Sequence, residues 1–497
     1  MNERAALEPQ QPSVKRTLVK NTLYVTLTQV LTMPLSILSS WVMARYLSLE
    51  EIGQIYLAST LTGLCFLFVN FGHEGALPAA VARDPSSAGT LLGSSMLSRS
   101  WFVFLAYGVA YAFCRFMHYA PVNVVAIMFL GSIFLSILSA GKETIRGFER
   151  IELSSAAHLS HQVLVALVTA LVLVLGAKMQ GTLLAQALAT ALIVPVVWWG
   201  LRVVGVRRLS FDWAVSKDLL RAGVPFVAMG VVGSLQPWVD GLYLSAYSTP
   251  ETVGAYSVAR RLLGVLMFAA SGLVGALYPT LCRLWVEDRA AFARASSGAI
   301  RGVNLLAVPL AIGCGLYPEV GVAIFGRAKF AAAESDLRVL AVFVLMVYIS
   351  MPLGTCILAA GKQRAWSVVQ SLCVVVSLVF DRFLVPWFEA RNKNGALGVC
   401  VATVVSEAIV VGCGFALVPK GILDLRFFRS ILLSLVGGAS MAVVTYFAKP
   451  VLPALLAAGL ASVSYFVVLW LTGGLEPQYI DAARAFVGRK LARLKAR

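Results

Sequence analysis

Asp240, Arg260, Arg261, His158, His161, Glu407 and Asp381 are ionisable side chains set in stretches of this sequence that are otherwise apolar. A charge in hydrocarbon is costly, so each is a candidate for handling an ion or a substrate. Glu407, near the middle of an apolar run, is the best-placed single carboxylate for coupling to H⁺ or Na⁺; a packed, protonated glutamic acid is the alternative. His158 and His161 are one helical turn apart and share a face. They suit a proton relay, a phosphate contact or a plain polar contact between helices. Asp381 is followed by Arg382, so the two point to different faces, and Asp381 serves either ion coupling or the outer interface. Asp240, Arg260 and Arg261 fall at similar depth on two consecutive runs, about 10 Å from the outer edge at about 1.5 Å per residue. Asp240 can neutralise one arginine across the hairpin and leave the other as surplus charge. A structural ion pair plus an arginine snorkelling outward is the other reading.

The elements that must hold these residues are membrane-spanning helices. The chain has 497 residues, 59% hydrophobic and 13% charged, with a mean hydropathy of +0.82, outside the range of water-soluble domains. Apolar runs of about 20 residues, enough to cross about 30 Å of hydrocarbon, occur about fourteen times, from 21–44 to 451–472. They are rich in Leu, Ala and Val without period-two alternation, which predicts helices and not a barrel. The first span, preceded by Lys15, Arg16 and Lys20, is expected to insert as an uncleaved anchor. Most Lys and Arg fall in alternate connecting segments, which puts both termini in the cytoplasm and requires an even number of crossings. The net charge of +17 therefore sits at membrane edges, so membrane lipids are expected partners and nucleic acid is not. The tail pairs an apolar stripe (Ile480, Ala483, Val487, Leu491, Leu494) with flanking Arg and Lys, as an interfacial helix would. The eight cysteines contain no CxxC pair, and His73–Glu74 lacks the second histidine of a zinc helix, so neither a metal nor a cofactor is indicated.

Two polar octapeptides interrupt the apolar pattern: YLSLEEIG (46–53) and YSTPETVG (247–254). At the same offset Ala58/Ala259, Leu61/Leu262, Gly63/Gly264 and Pro78/Pro279 also match, a spacing that marks an internal repeat. A second echo pairs LSAGKET (138–144) with LAAGKQR (358–364). The repeat unit is six helices, an even number, so the halves cross the membrane in the same sense, as in parallel-repeat transporters. The expected organisation is a cytoplasmic N-terminus (1–20), an N-lobe of six spans (21–201), a cytoplasmic connector (202–222), a C-lobe of six spans (223–418), an extra helix pair (419–472) and a basic amphipathic tail (473–497). The predicted fold is thus an all-α polytopic membrane protein with two pseudo-symmetric six-helix lobes plus a C-terminal helix pair. The repeat partners of Arg260 and Arg261 are Ser59 and Thr60, so the surplus positive charge belongs to one lobe.

The run VDGLYLSAYSTPETVGAYSVARRLLG (239–264) with ALYPTLCRL (276–284), and the opening KNTLYVTLTQVLTMPLSILSSWVMARYLSLEEIGQIYLAS (20–59), resemble the bacterial polysaccharide flippases of the O-antigen type. That family shares a superfamily with multidrug-and-toxin extruders and the lipid II flippase. The resemblance implies a secondary transporter of the bacterial inner membrane. Its cargo would be a polyprenyl-pyrophosphate-linked oligosaccharide for lipopolysaccharide or other surface polysaccharide, with a polysaccharide polymerase machinery as partner. It points to Arg261, where such proteins carry a basic residue, as the group that holds the pyrophosphate. Where they often carry an arginine near position 79, this chain has Ala79, with Arg83 the nearest.

Other readings remain open at this point. An ion-coupled drug or metabolite exporter of the same superfamily would have a similar pattern. A membrane polymerase or glycosyltransferase would need a large extramembrane catalytic segment, and the chain contains neither that nor a phosphate loop or nucleophile elbow, so it is not expected to be an enzyme. A membrane scaffold would leave the paired charges and the repeat without a purpose.

Overall fold

In lipid, every backbone N–H and C=O must be satisfied within the segment, and long apolar runs meet that demand as helices. The computed structural model describes residues 14–475, which contain sixteen α-helices, one 3₁₀ turn and no strand. Among the described residues, thirteen segments are long and apolar enough to cross a membrane. Helix α8 (Trp213–Tyr247), of 35 residues, covers the start of the segment expected as the C-lobe (223–418). The chain is an all-α polytopic membrane protein. The amphipathic tail stripe from Ile480 to Leu494 lies outside the described residues.

The structure divides into two compact units between Gly241 and Leu242, within α8. Unit 1 contains α1 (Val14–Tyr46), α2 (Leu49–Asn70), α3 (His73–Arg83), α4 (Ala88–Met117), α5 (Val122–Gly147), α6 (Ile151–Val174), α7 (Met179–Val203) and most of α8. Helix α2 packs on α4 and α5, α5 on α4 and α7, α6 on α7, and α1 on α6. Trp101, Phe104, Leu105, Leu167 and Leu171 are exposed on the periphery, as apolar side chains facing lipid must be. Span 52–77, one run in the sequence, is two helices. Phe71 and Gly72 take positive φ (39° and 69°), which ends α2 and starts α3. The break is braced by α8: a Cβ on Gly72 would lie 2.1 Å from the Gly223 carbonyl oxygen, and one on Gly223 would lie 2.0 Å from that of Phe71. Only glycine lets the backbones approach so closely.

Unit 2 holds α9 (Pro250–Glu287), α10 (Arg289–Leu316), the short α11 (Pro318–Ala323), α12 (Ala332–Ala359), α13 (Gln363–Asn392), α14 (Ala396–Leu417), α15 (Leu425–Ala448) and α16 (Ala454–Leu471). Here α9 packs on α10 and α12, α12 on α10 and α14, and α13 on α14, the order seen for α2, α4, α5, α7 and α6 in unit 1. The octapeptides are the same turn in both. Tyr46 ends α1 and Ser48 caps α2, its hydroxyl accepting from Glu51 N while Glu51 returns a capping-box contact. Tyr247 ends α8 and Thr249 caps α9, with Pro250 opening the helix. The second echo is not structurally equivalent: LSAGKET is helical within α5, whereas LAAGKQR turns between α12 and α13, with Gly361 at φ 78°. Gly141 stays helical and packs on Val197. The extra pair α15–α16 is fastened to α10 and α11 by Tyr465 Oη donating to Leu305 O (2.9 Å), Tyr317 Oη to Thr445 Oγ1 (3.0 Å), and the Lys449–Glu319 ion pair (2.7 Å).

Candidate functional site

Unit 1 contains a cavity of about 360 Å³ among α2, α5, α6 and α7. Its polar lining is Ser59 and Thr62 from α2, Ser132 from α5, His161 from α6, and Gln186 and Thr190 from α7; the other lining residues are apolar or glycine. These positions lie near the middle of their helices, hence at the depth of the membrane interior. Gln186 Nε2 of α7 donates across to Thr169 Oγ1 of α6 (2.9 Å), while Thr190 Oγ1 donates to Gln186 O within α7 (2.9 Å). His161 Nε2 lies 3.0 Å from Thr190 Oγ1, in hydrogen-bond contact between α6 and α7. No carboxylate lines this cavity. Sequence spacing put His158 and His161 on one face; both are half-buried, but only His161 lines the cavity.

Asp240 is fully buried in unit 1. Beside it Gly241 abuts a hydroxyl pair, Thr60 Oγ1 and Tyr119 Oη (2.8 Å apart), and a Cβ at Gly241 would lie 2.4 Å from the tyrosine oxygen. Arg260 and Arg261 belong to unit 2, in the first third of α9. Arg260 is half-buried, while Arg261 is exposed and has no ion-pair partner among the described residues. A guanidinium in that setting offers its full fork of donors to an anion.

Two carboxylates lie deeper in unit 2. Glu407 of α14 accepts a hydrogen bond from Ser350 Oγ of α12. Asp381 of α13 is fully buried and accepts from Ser377 Oγ (3.2 Å). Its neighbour Arg382 is exposed and stacks over Tyr247, 5.9 Å from the ring centre, so the adjacent pair does point to different faces. Among the described residues no group of three or more His, Cys, Asp or Glu is placed to hold a metal ion.

Sequence reasoning missed the buried ion pair between Arg99 of α4 and Glu143 of α5. Arg99 falls near one end of an apolar stretch of the sequence, where a basic residue reads as a membrane-edge charge. Its partner, distant in sequence, carried no local sign. Thr62, Ser132 and Thr190 were equally silent, because a hydroxyl in an apolar helix usually bonds back to its own backbone.

Residues 18–285 match the family described as polysaccharide biosynthesis protein. A curated relative, the probable low-salt glycan biosynthesis flippase Agl15 of Haloferax volcanii, is 18% identical over 368 residues, covering 74% of this chain and 76% of the relative. The fold is similar to that of the lipid II flippase MurJ in an inward closed conformation, with a TM-score of 0.73 and 13% identity over 91% of this chain and 98% of that one. It is also similar to an inward-facing multidrug resistance MATE family transporter of the MOP superfamily, with a TM-score of 0.66 and 15% identity over 80% and 95%. With more than half of its length matched, and a multi-pass helical fold of the kind those transporters have, the chain belongs to the polysaccharide biosynthesis protein family.

Proposed function

We propose that this protein is a flippase that moves a polyprenyl-pyrophosphate-linked oligosaccharide across the bacterial inner membrane by alternating access, for surface polysaccharide synthesis. The observation that carries the reading is Arg261: an exposed guanidinium on a membrane-spanning helix, without an ion-pair partner among the described residues. Such a charge is expensive unless it meets an anion in use, and bidentate donation suits a diphosphate. The match to the polysaccharide biosynthesis family and the flippase name of the curated relative support the cargo class. In this reading the lipid tail stays in the bilayer while the headgroup crosses, and both termini face the cytoplasm. Glu407 of α14, hydrogen-bonded to Ser350 of α12, is the group that couples the cycle to H⁺ or Na⁺.

Cells depleted of the protein should accumulate a complete lipid-linked repeat unit, visible by mass spectrometry of the polyprenyl-pyrophosphate pool. Wild type should clear it and Arg261→Ala should not. An unchanged pool with unchanged surface polysaccharide would sink the flippase reading and leave a small-molecule exporter of the same superfamily.

A further inference from the structure

Resting on the flippase reading, we propose that the unit 1 cavity is a subsite for the uncharged, hydroxyl-rich part of the cargo: its sugar chain, separate from the pyrophosphate. What decides the ligand class is the hydrogen-bonding capacity the walls retain after satisfying themselves. Ser59 Oγ donates to Ile55 O (2.6 Å), Thr62 Oγ1 to Ala58 O (2.7 Å), Ser132 Oγ to Met128 O (3.0 Å) and Thr190 Oγ1 to Gln186 O (2.9 Å). Every one of these hydroxyl protons is committed to its own helix, which leaves oxygen lone pairs. Gln186 Nε2 spends its two N–H groups on Thr169 Oγ1 (2.9 Å) and Met43 Sδ (3.9 Å), leaving the amide oxygen as an acceptor. His161 spends Nε2 on its 3.0 Å contact with Thr190 Oγ1.

The polar part of the wall therefore offers acceptors and few donors. A phosphate is acceptor-only and needs donors or cations, so it fits poorly. A metal ion or a cationic drug would find no carboxylate to balance its charge at this depth. A neutral polyol brings many O–H donors, which is what such a wall lacks. At about 360 Å³ the space is of the size that holds small ligands, about 300–1,000 Å³. Phe66 and Leu183 add apolar surface for the C–H faces of a sugar ring. Gly63 opens the α2 wall: a Cβ there would meet nothing within 4 Å, so a larger residue enters the cavity without displacing structure.

The test uses the full chain purified in detergent, with two probes: the oligosaccharide released by mild acid from the lipid-linked pool of depleted cells, and inorganic pyrophosphate. Gly63→Leu should weaken oligosaccharide binding by about tenfold or more, the scale of a steric mismatch in a pocket, and leave pyrophosphate binding unchanged. Arg261→Ala should do the reverse. Retained pyrophosphate binding shows that Gly63→Leu is folded, and Ser132→Ala, which removes an acceptor without adding bulk, should weaken oligosaccharide binding in the same direction. Unaltered oligosaccharide binding in both cavity variants overturns the subsite while leaving the flippase reading intact. So does a cavity that binds ethidium, lost in Gly63→Leu, with no affinity for the oligosaccharide. If depleted cells hold no pool from which to prepare the probe, the flippase reading itself has failed and the subsite falls with it.

Discussion

Arg99 of α4 and Glu143 of α5 form an ion pair buried at both ends, with 1% and 5% of their side chains exposed, and Arg99 Nη1 also donates to Ser136 O at 3.2 Å. Pairing satisfies two charges that neither helix could hold alone within the unit. Removing one partner, as in Arg99→Met or Glu143→Leu, should destabilise the protein by about 3–5 kcal/mol, because the remaining charge stays buried. The double replacement Arg99→Met with Glu143→Leu should recover most of that loss. Thermal unfolding in detergent, run as a double-mutant cycle, reads both values; single variants as stable as wild type would show that the pair contributes nothing.

Arg261 should tolerate substitution structurally, since its side chain is exposed and makes no ion pair among the described residues. We expect Arg261→Ala to fold normally and fail to clear the lipid-linked pool. Arg261→Lys should be intermediate, because an ammonium keeps the charge but loses the planar fork. Equal activity of Lys and Ala variants would mean that charge at this position is irrelevant.

Glu407 accepts from Ser350 Oγ, a bond that a glutamine oxygen can also accept. Glu407→Gln should therefore keep the fold yet lose the dependence of transport on an imposed ion gradient, measured in proteoliposomes. Ser350→Ala, which spares the carboxylate, should retain that dependence. A Gln variant that responds to the gradient like wild type would remove Glu407 from ion coupling.

The crossing of α3 and α8 depends on two glycines whose Cβ atoms would sit 2.1 and 2.0 Å from backbone oxygens. Gly72→Ala additionally forces a non-glycine residue to φ 69°. Strain alone costs of the order of 1–3 kcal/mol, so Gly72→Ala and Gly223→Ala should both lower the unfolding temperature markedly. Gly108→Ala, where nothing lies within 4 Å, is the matched control and should be neutral or slightly stabilising.

Asp288, in the turn before α10, accepts from Ala290 N and Ala291 N (2.9 Å each). The Ala291 N–H foremost, with Ala290 and Arg294 adding to it, holds its carboxyl below the usual aspartate range. A depressed folded pKa means the cap stabilises the helix start above the unfolded value and is lost as pH falls through the folded one. Hydrogen exchange at residues 290 and 291 should therefore accelerate selectively in strong acid. Asp288→Asn, which caps without ionising, should abolish that acid step, whereas Asp288→Ala should exchange rapidly at every pH.

The class of this protein, its helical spans and its repeated turns follow from sequence alone. Length and apolarity leave helices as the available backbone in lipid, and the Ser48 and Thr249 caps mark where two of them begin. The position of each charge along its own helix was legible for the same reason, since rise per residue is constant. What faces what was decided only by packing. His161 lines the cavity and His158 does not, because one turn of drift separates a wall from its flank. Arg99 found Glu143 only once α4 lay against α5, and the break at Phe71 lies against Gly223 of α8, distant in sequence. A one-dimensional pattern specifies height along a helix, while rotation about its axis and the neighbour across the gap belong to the tertiary structure.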